Sequence, residues 1–108
     1  KSLPGSSAGP QNVIKGAALK VGQTHNFVSK AGTPAVLFRT KNGIFAYSAV
    51  CTHQGCTVQF NSASSKLQCG CHGAVFDPFN EAKVVAGPTN TPLARIEVAE
   101  EGAWIVEA

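Results

Sequence analysis

A chain of 108 residues can build one hydrophobic core but not two. Its residues are 44% hydrophobic and 14% charged, with a net charge of +3 at pH 7, a balance that favours a globular domain and excludes a disordered tail. No run approaches the roughly 18 consecutive apolar residues of a membrane-spanning helix. The nine basic residues are scattered singly, which excludes the basic patch that nucleic-acid binding requires.

Residues 1–10 have the composition of a linker. They contain three serines, two glycines and two prolines, and Leu3 is the single large apolar residue among them. Together with the lack of an initiator methionine, this composition predicts the flexible remnant of a tether; an ordinary frayed terminus is the alternative. The folded domain is then expected over residues 11–108.

The rest of the chain shows the pattern of short β-strands. Residues 35–40 and 44–50 are apolar, β-branched or aromatic, and the Asn42-Gly43 pair between them predicts a hairpin because both residues tolerate positive φ. Further strands are predicted at 57–60, at 66–69, from 75 to the interruption by Pro78, at 95–99 and, after a turn at 100–102, at 103–106. Helical periodicity is never sustained, and 16–20 could form one turn at most. The fold class is therefore all-β, with Trp104 and the six phenylalanines expected in the core.

Two segments contain all four cysteines and two of the three histidines. They are Cys51-Thr52-His53-Gln54-Gly55-Cys56 and Cys69-Gly70-Cys71-His72-Gly73-Ala74. Each has a cysteine shortly before a histidine, as C-x-H and C-x-x-H, and each has a second cysteine. Fifteen residues separate His53 from Cys69. The third histidine, His25, matches no part of this pattern and is expected to be an ordinary surface or strand residue.

Three kinds of site compete for these residues. A structural zinc site usually pairs cysteines two to four residues apart, which a C-x-H segment fits poorly, and two cysteines would be left over. Two structural disulfides with incidental histidines would suit a small secreted domain, but they leave the repeated cysteine-histidine-glycine pattern unexplained. The favoured interpretation is a two-iron, two-sulfide cluster with thiolates on one iron and imidazoles on the other.

A two-iron, two-sulfide cluster would explain most of the cysteine, histidine and glycine pattern. Its ligands would be Cys51, His53, Cys69 and His72. Replacing two thiolates by neutral imidazoles removes negative charge and raises the reduction potential above that of an all-cysteine cluster. The glycines at 55, 70 and 73 would let backbone amides approach the sulfurs without a Cβ in the way.

The two segments resemble the Rieske iron-sulfur family, whose pattern is C-x-H followed about fifteen to seventeen residues later by C-x-x-H. The resemblance runs from about Val13 to the end of the chain. It implies a small antiparallel β-sandwich with a cluster-binding part at about 46–93, in which two hairpin-like loops present one [2Fe-2S] cluster at a tip. A third, proline-containing loop would cover the cluster; residues 87–93 resemble it, and Gly87, Pro88 and Pro92 are the candidate covering residues.

The other two cysteines, Cys56 and Cys71, occupy positions that form a disulfide between the two cluster loops in cytochrome bc- and b6f-type members of the family. The resemblance therefore implies a Cys56–Cys71 disulfide, which in the loop-entropy model stabilises the fold by on the order of 3 kcal/mol. A structural disulfide implies an oxidising compartment. The domain is accordingly expected in the periplasm or on the outer face of the cytoplasmic membrane.

The sequence departs from quinol-oxidising members of the family at three positions. Those members carry Ser and Tyr in the segment H-G-S-x-Y-D, where this chain has Ala74 and Phe76. The missing hydroxyls are understood to donate hydrogen bonds to a bridging sulfide and to a ligand-cysteine sulfur, so a lowered potential is expected. In addition, Gln54 replaces the leucine that commonly follows the first histidine, which alters the apolar tip that would dock at a quinol site.

The resemblance implies a one-electron carrier. No catalysis of its own is expected, since one cluster borne on loops has no paired acid and base beside it. The favoured role is an exported, membrane-anchored, stand-alone carrier; the alternatives are the soluble head of the Rieske subunit of a quinol:cytochrome c oxidoreductase and the small subunit of an arsenite-oxidase-like enzyme. Expected partners are redox proteins, either a cytochrome or a membrane quinol-oxidising complex. The membrane would be reached only through an N-terminal anchor missing from this sequence.

Overall fold

The computed structural model describes residues 10–52, 56–71 and 73–108; the predicted linker therefore lies almost wholly outside the described residues. The described residues form eleven β-strands and one 3-10 helix at Gly16–Ala18, and none of their helices is long and apolar enough to cross a membrane. The strands are β1 Gln11–Lys15, β2 Thr24–Val28, β3 Pro34–Thr40, β4 Gly43–Ser48, β5 Val58–Asn61, β6 Lys66–Cys69, β7 Val75–Asp77, β8 Lys83–Ala86, β9 Arg95–Ile96, β10 Val98–Glu101 and β11 Trp104–Glu107.

The strands form three sheets, and all of their pairings are antiparallel, which confirms the predicted all-β fold class. The sheet orders are β1-β11-β10, β2-β3-β4-β9 and β5-β6-β7-β8. On β3, Leu37 belongs to one hydrophobic cluster with Ile105, whereas its neighbours Val36 and Phe38 belong to a second cluster with Leu67. Successive side chains of a strand point to opposite faces. The second sheet is therefore the middle layer, which explains why 35–38 are all buried.

The predicted hairpin is formed by β3 and β4, but its turn differs from the expected one. Thr40 lies opposite Gly43, so the turn consists of Lys41 and Asn42. Of the Asn42-Gly43 pair only Gly43 has a positive φ, +132°. The Asn42 N–H donates instead to the Thr40 hydroxyl at 3.1 Å, and that hydroxyl donates to the Gly43 carbonyl at 3.2 Å. A side-chain hydrogen bond thus stabilises the turn.

The single strand predicted at 95–99 is in fact two strands in two different sheets. Ile96 in β9 lies opposite Ala46 in β4, whereas Ala99 in β10 lies opposite Val106 in β11. The chain changes sheets at Glu97. An alternation of charged and apolar residues continues through this point, so it does not reveal the change of partner. The following turn falls at 102–103, slightly later than predicted.

The expectation that every phenylalanine is in the core is wrong for Phe79, which is 51% exposed. Its ring packs edge-on against Phe38, Phe45 and Phe60, with ring centroids 5.7, 5.9 and 6.3 Å apart. Phe79 follows Pro78, which ends β7 and is itself fully buried. Phe79 therefore covers the edge of the aromatic cluster from outside.

Candidate metal centre

The two cysteine-histidine segments form neighbouring loops because β5 and β6 are paired. The first loop, residues 49–57, connects β4 to β5, and the second loop, residues 70–74, connects β6 to β7. Val58, which follows the first loop, lies opposite Cys69, which precedes the second. Both loops therefore leave the same end of one sheet. This register places segments that are distant in sequence side by side.

Backbone hydrogen bonds close each loop like a hairpin. In the first loop the Cys51 N–H donates to the Cys56 carbonyl at 2.7 Å. In the second, the Cys69 N–H donates to the Ala74 carbonyl at 2.8 Å, and the Gly73 N–H donates to the Cys69 carbonyl at 3.1 Å. Gly73 has a φ of +78°, in the region that favours glycine. In the described residues, both loops are therefore closed at their bases, as the hairpin-like loops implied by the resemblance would be.

The four cysteines divide into a bonded pair and two buried thiols. Cys56 and Cys71 form a disulfide with an S–S distance of 2.06 Å, as the resemblance implied, and it joins the two loops. Cys51 and Cys69 are outside the disulfide and only 2% and 3% exposed. The sulfurs of Cys56, Cys69 and Cys71 all lie within 4.8 Å of one another. Since two of these three are bonded together, Cys69 is the metal-ligand candidate in this group.

The predicted histidine ligands, His53 and His72, lie outside the described residues, as do Gln54 and Gly55. Their roles stay predictions. His25, the histidine expected to have no role, is on β2 opposite Leu37 in the middle sheet.

The Pro loop, residues 87–93, contacts both cysteine loops. Gly87 lies so close to the second loop that a Cβ on it would be 2.5 Å from the Ala74 Cα. On the first loop, the Thr52 hydroxyl donates to the Thr91 carbonyl at 2.6 Å and lies 3.0 Å from the Thr89 hydroxyl. Leu93 is 4% exposed and belongs to the core. The sequence motifs assigned no role to Thr52 or Thr89. The position of Thr52 between the predicted ligands Cys51 and His53 could have indicated a role for it.

The two predicted tuning residues, Ala74 and Phe76, are both fully buried. They belong to the same hydrophobic cluster as Cys51 and Cys69. Phe76 lies opposite Leu67 on the neighbouring strand. A side chain at either position is therefore shielded from water on the side of the fold that holds the buried thiols, while its influence on a potential stays a prediction.

Tyr47, which lies in the same hydrophobic cluster, has a shifted pKa. Burial raises the pKa of Tyr47 above its usual value of 10.0, Arg95 lowers it, and Glu81 and Asp77 raise it further. The phenol is therefore neutral at physiological pH. It adds no charge to the side of the fold that holds the thiols.

Comparison with known proteins decides the family. The model of the Rieske [2Fe-2S] domain matches residues 9–97. The chain belongs to the Rieske [2Fe-2S] family. The structure of the cyanobacterial plasma membrane Rieske protein PetC3 from Synechocystis PCC 6803 superposes with a TM-score of 0.75 at 31% identity, over 90% of this chain and 98% of that one. The soluble domain of the Rieske protein II (soxF) from Sulfolobus acidocaldarius shares the fold, with a TM-score of 0.80 at 17% identity over 94% of this chain and 78% of that one.

The curated relatives of this Rieske domain are longer proteins. The cytochrome b6-f complex iron-sulfur subunit of Prochlorococcus marinus (strain MIT 9211) is 34% identical over 105 residues, which cover 95% of this chain and 52% of the relative. The chloroplastic subunit of Fritillaria agrestis is 43% identical over 60 residues, 54% of this chain and 25% of the relative. The chain thus spans about half, or less, of these relatives.

The Rieske domain binds a [2Fe-2S] cluster, and the described residues fit it. Iron-sulfur clusters are held by thiolates, and the chain keeps two buried thiols out of the disulfide at the base of two adjoining loops. The disulfide fixes the spacing of these loops, and the hydroxyl contacts of Thr52 hold the Pro loop beside them. A structural zinc site with pairs of cysteines does not fit, because one cysteine of each loop is already oxidised.

Proposed function

We propose that this domain carries single electrons between redox proteins, with its cluster held by four side chains. The proposed ligands are Cys51, His53, Cys69 and His72. When bound, the cluster supplies a reversible one-electron couple, and its mixed ligation sets that couple at a high potential. The observation that carries the proposal is the separation of the cysteines into one disulfide and two buried thiols on adjoining loops.

The protein's own contribution is to hold the ligands rigidly and to limit water. Cys51 and Cys69 lie in the larger hydrophobic cluster, so their sulfurs face a low-polarity environment. The Cys56–Cys71 disulfide prevents the two loops from separating. Gly87, Pro88 and Pro92 belong to the loop proposed to cover the cluster, and the close approach of Gly87 to Ala74 supports that role. Rigid ligands minimise rearrangement when an electron arrives or leaves.

We infer that the domain works outside the cytoplasm and at a membrane. The disulfide supports an oxidising compartment. The similarity to a plasma membrane Rieske protein and to subunits of cytochrome b6-f complexes supports membrane association. An anchor outside the described domain would make the attachment.

The alternative is the soluble head of a Rieske subunit in a quinol-oxidising complex. Its support is the similarity to the iron-sulfur subunits of cytochrome b6-f complexes. The glutamine at position 54, where leucine commonly follows the first histidine, favours the stand-alone carrier over this alternative, as do the two hydroxyls missing at Ala74 and Phe76. An arsenite-oxidase-like small subunit has no such supporting observation here.

Metal analysis tests the electron-carrier proposal directly. The purified protein should contain about two irons and two acid-labile sulfides per chain, be red-brown, and give the low average g-value of mixed cysteine and histidine ligation after reduction. One zinc and no labile sulfide would overturn the proposal.

The partner is tested by mixing the reduced domain with an oxidised periplasmic cytochrome, and the oxidised domain with a quinol analogue. A stand-alone carrier should exchange electrons with periplasmic cytochromes. A quinol analogue should not reduce it, either in the absence of membranes or after purified cytochrome bc complex is added. Fast, complex-dependent reduction by the quinol analogue would instead support the quinol-oxidising alternative. Fractionation of cells that express the complete reading frame tests the compartment: recovery in the cytosol would contradict it.

A further inference from the structure

Three hydrogen bonds, two of them between the first loop and the Pro loop, form a closed ring. The Thr52 hydroxyl donates to the Thr91 carbonyl at 2.6 Å, because a carbonyl can only accept. That hydroxyl has one proton, so across the 3.0 Å contact between Thr52 Oγ1 and Thr89 Oγ1 the donor is Thr89. The Thr89 oxygen in turn accepts the Thr91 N–H at 3.1 Å. We call Thr52, Thr89 and Thr91 the threonine ring.

Among the described residues, the ring holds the middle of the Pro loop. At one end of this loop Gly87 is pressed against Ala74, and at the other Leu93 is buried in the core. Between them lie five residues, of which only Thr89 is buried, at 7% exposed. A loop segment with exposed side chains opens easily unless specific hydrogen bonds oppose it. Here two such bonds reach across to the first loop, and both end on the hydroxyl of Thr52.

We propose that Thr52 and Thr89 are positioning residues that keep the Pro loop closed over the cluster side of the first loop. The inference rests on the proposed function for its consequence, since Thr52 lies between Cys51 and His53, both proposed ligands. A rigid Thr52 fixes the backbone on either side of itself. Opening the ring should therefore free the Pro loop and speed loss of the cluster, while the disulfide and the core stay intact.

Valine and serine substitutions separate the hydroxyl from the shape of the side chain. Thr52→Val keeps the size and removes both bonds between the loops, whereas Thr52→Ser keeps the hydroxyl. Thr89→Val removes one bond between the loops and the local bond to Thr91. Thr57→Val, on the same loop at an exposed position, is the matched control. Thr89 lies on the Pro loop, away from the proposed ligands in sequence. Thr89→Val therefore tests the ring without a substitution next to Cys51 and His53.

Hydrogen exchange of the Thr91 amide in the holoprotein is the primary measurement, and bleaching of the visible absorbance by an iron chelator is the second. Thr52→Val and Thr89→Val each remove two hydrogen bonds and should each speed bleaching about fivefold or more. Thr52→Val should also speed Thr91 exchange, whereas in Thr89→Val this amide loses its own acceptor and bleaching is the readout. Thr52→Ser and Thr57→Val should behave like the wild type. Adding Thr89→Val to Thr52→Val should have a smaller effect on bleaching than Thr89→Val alone, because the ring is already open.

Two results would overturn the proposal. One is Thr91 exchange in Thr52→Val that matches the wild type. The other is a Thr52→Ser variant as impaired as Thr52→Val. Neither result depends on the identity of the metal, since Thr91 exchange reports on the loop itself. Failure of the electron-carrier proposal would appear separately, in the iron and sulfide content of the wild-type protein.

Discussion

Gly87 of the Pro loop and Ala74 of the second loop are in direct backbone contact. A Cβ on Gly87 would stand 2.5 Å from the Ala74 Cα, 3.0 Å from its nitrogen and 3.1 Å from its Cβ. Its φ of +107° also lies in a region that L side chains rarely adopt. Glycine is therefore required twice at this position, by conformation and by space. The contact fixes how closely the Pro loop approaches the proposed ligand loop.

Substitution of Gly87 by alanine should separate the two loops. The new methyl meets backbone, which cannot rotate away, so the Pro loop must shift. Gly32→Ala is the matched control: its φ of +86° is similar, but a Cβ there would meet nothing within 4 Å. The control should cost about 1 kcal/mol of unfolding free energy, and Gly87→Ala clearly more, with faster cluster loss in the chelator assay. Equal effects of the two variants on thermal unfolding would show that the close contact is unimportant.

The proposed histidine ligands can be tested against a histidine that has no proposed role. His53→Ala should lose the cluster, and His72→Cys should lose it or convert it to a form with a lower potential, since a thiolate adds negative charge. His25→Ala, on β2, should leave iron content and spectra unchanged. The measurements are iron and sulfide analysis and the spectrum of the reduced protein. A wild-type spectrum in both ligand variants would refute the assignment.

Cysteine labelling should follow the division into one disulfide and two thiols. After mild removal of the cluster and alkylation without a reductant, mass spectrometry should find the label on Cys51 and Cys69 alone. Prior reduction should add the label to Cys56 and Cys71. Labelling of all four residues without reduction would mean that the disulfide is absent from the native protein.

The sequence predicted those parts of the molecule that depend on local pattern or on a specific motif. The strands at 66–69 and from Val75 onward, and the pairing of Cys56 with Cys71, are confirmed. Composition and spacing gave the strands, whereas family resemblance gave the disulfide, since four cysteines allow several pairings. A local sequence pattern was therefore sufficient to predict the position of a single strand.

The parts that the sequence did not predict depend on packing between distant elements. The strand predicted at 95–99 is interrupted at Glu97 because the residues before and after it pair with strands of two different sheets. Phe79 is exposed because Pro78 occupies the buried position before it. The threonine ring joins positions 37 residues apart. No periodicity marks such a contact, because it depends on how the Pro loop is placed.

Addition of a hydroxyl at Phe76 should raise the reduction potential. Phe76 is fully buried in the hydrophobic cluster that also contains Cys51 and Cys69, the two proposed cysteine ligands. The resemblance implies that a tyrosine at this position donates to the sulfur of Cys51. Such a bond stabilises the more negative reduced cluster. Phe38→Tyr, at 1% exposure in the same core, is the control for a buried phenol that has no assigned target. Cyclic voltammetry should show an upward shift for Phe76→Tyr alone; equal shifts would point to a general effect of polarity.

Ala74→Ser should raise the potential by supplying a donor near a bridging sulfide. Rieske centres span roughly −150 to +300 mV, and the missing donor argues for a value below the upper end. For a one-electron couple about 59 mV corresponds to a tenfold change in equilibrium constant, or about 1.4 kcal/mol, the scale of one hydrogen bond to a charged acceptor. A shift of several tens of millivolts is therefore expected.

The contact with Gly87 determines whether the serine at position 74 can act in this way. Ala74 is fully buried with the Pro loop against its backbone and Cβ, so the hydroxyl has to point away from Gly87 to fit. If it points toward the sulfide, the potential rises while the melting temperature changes little, because a buried hydroxyl is costly only when it lacks a partner. Ala46→Ser, equally buried in the other hydrophobic cluster, should lower stability without moving the potential. An intact cluster whose potential stays at the wild-type value in Ala74→Ser would exclude a hydroxyl donor at this position as the control, and backbone amides or solvent exposure would then set the potential.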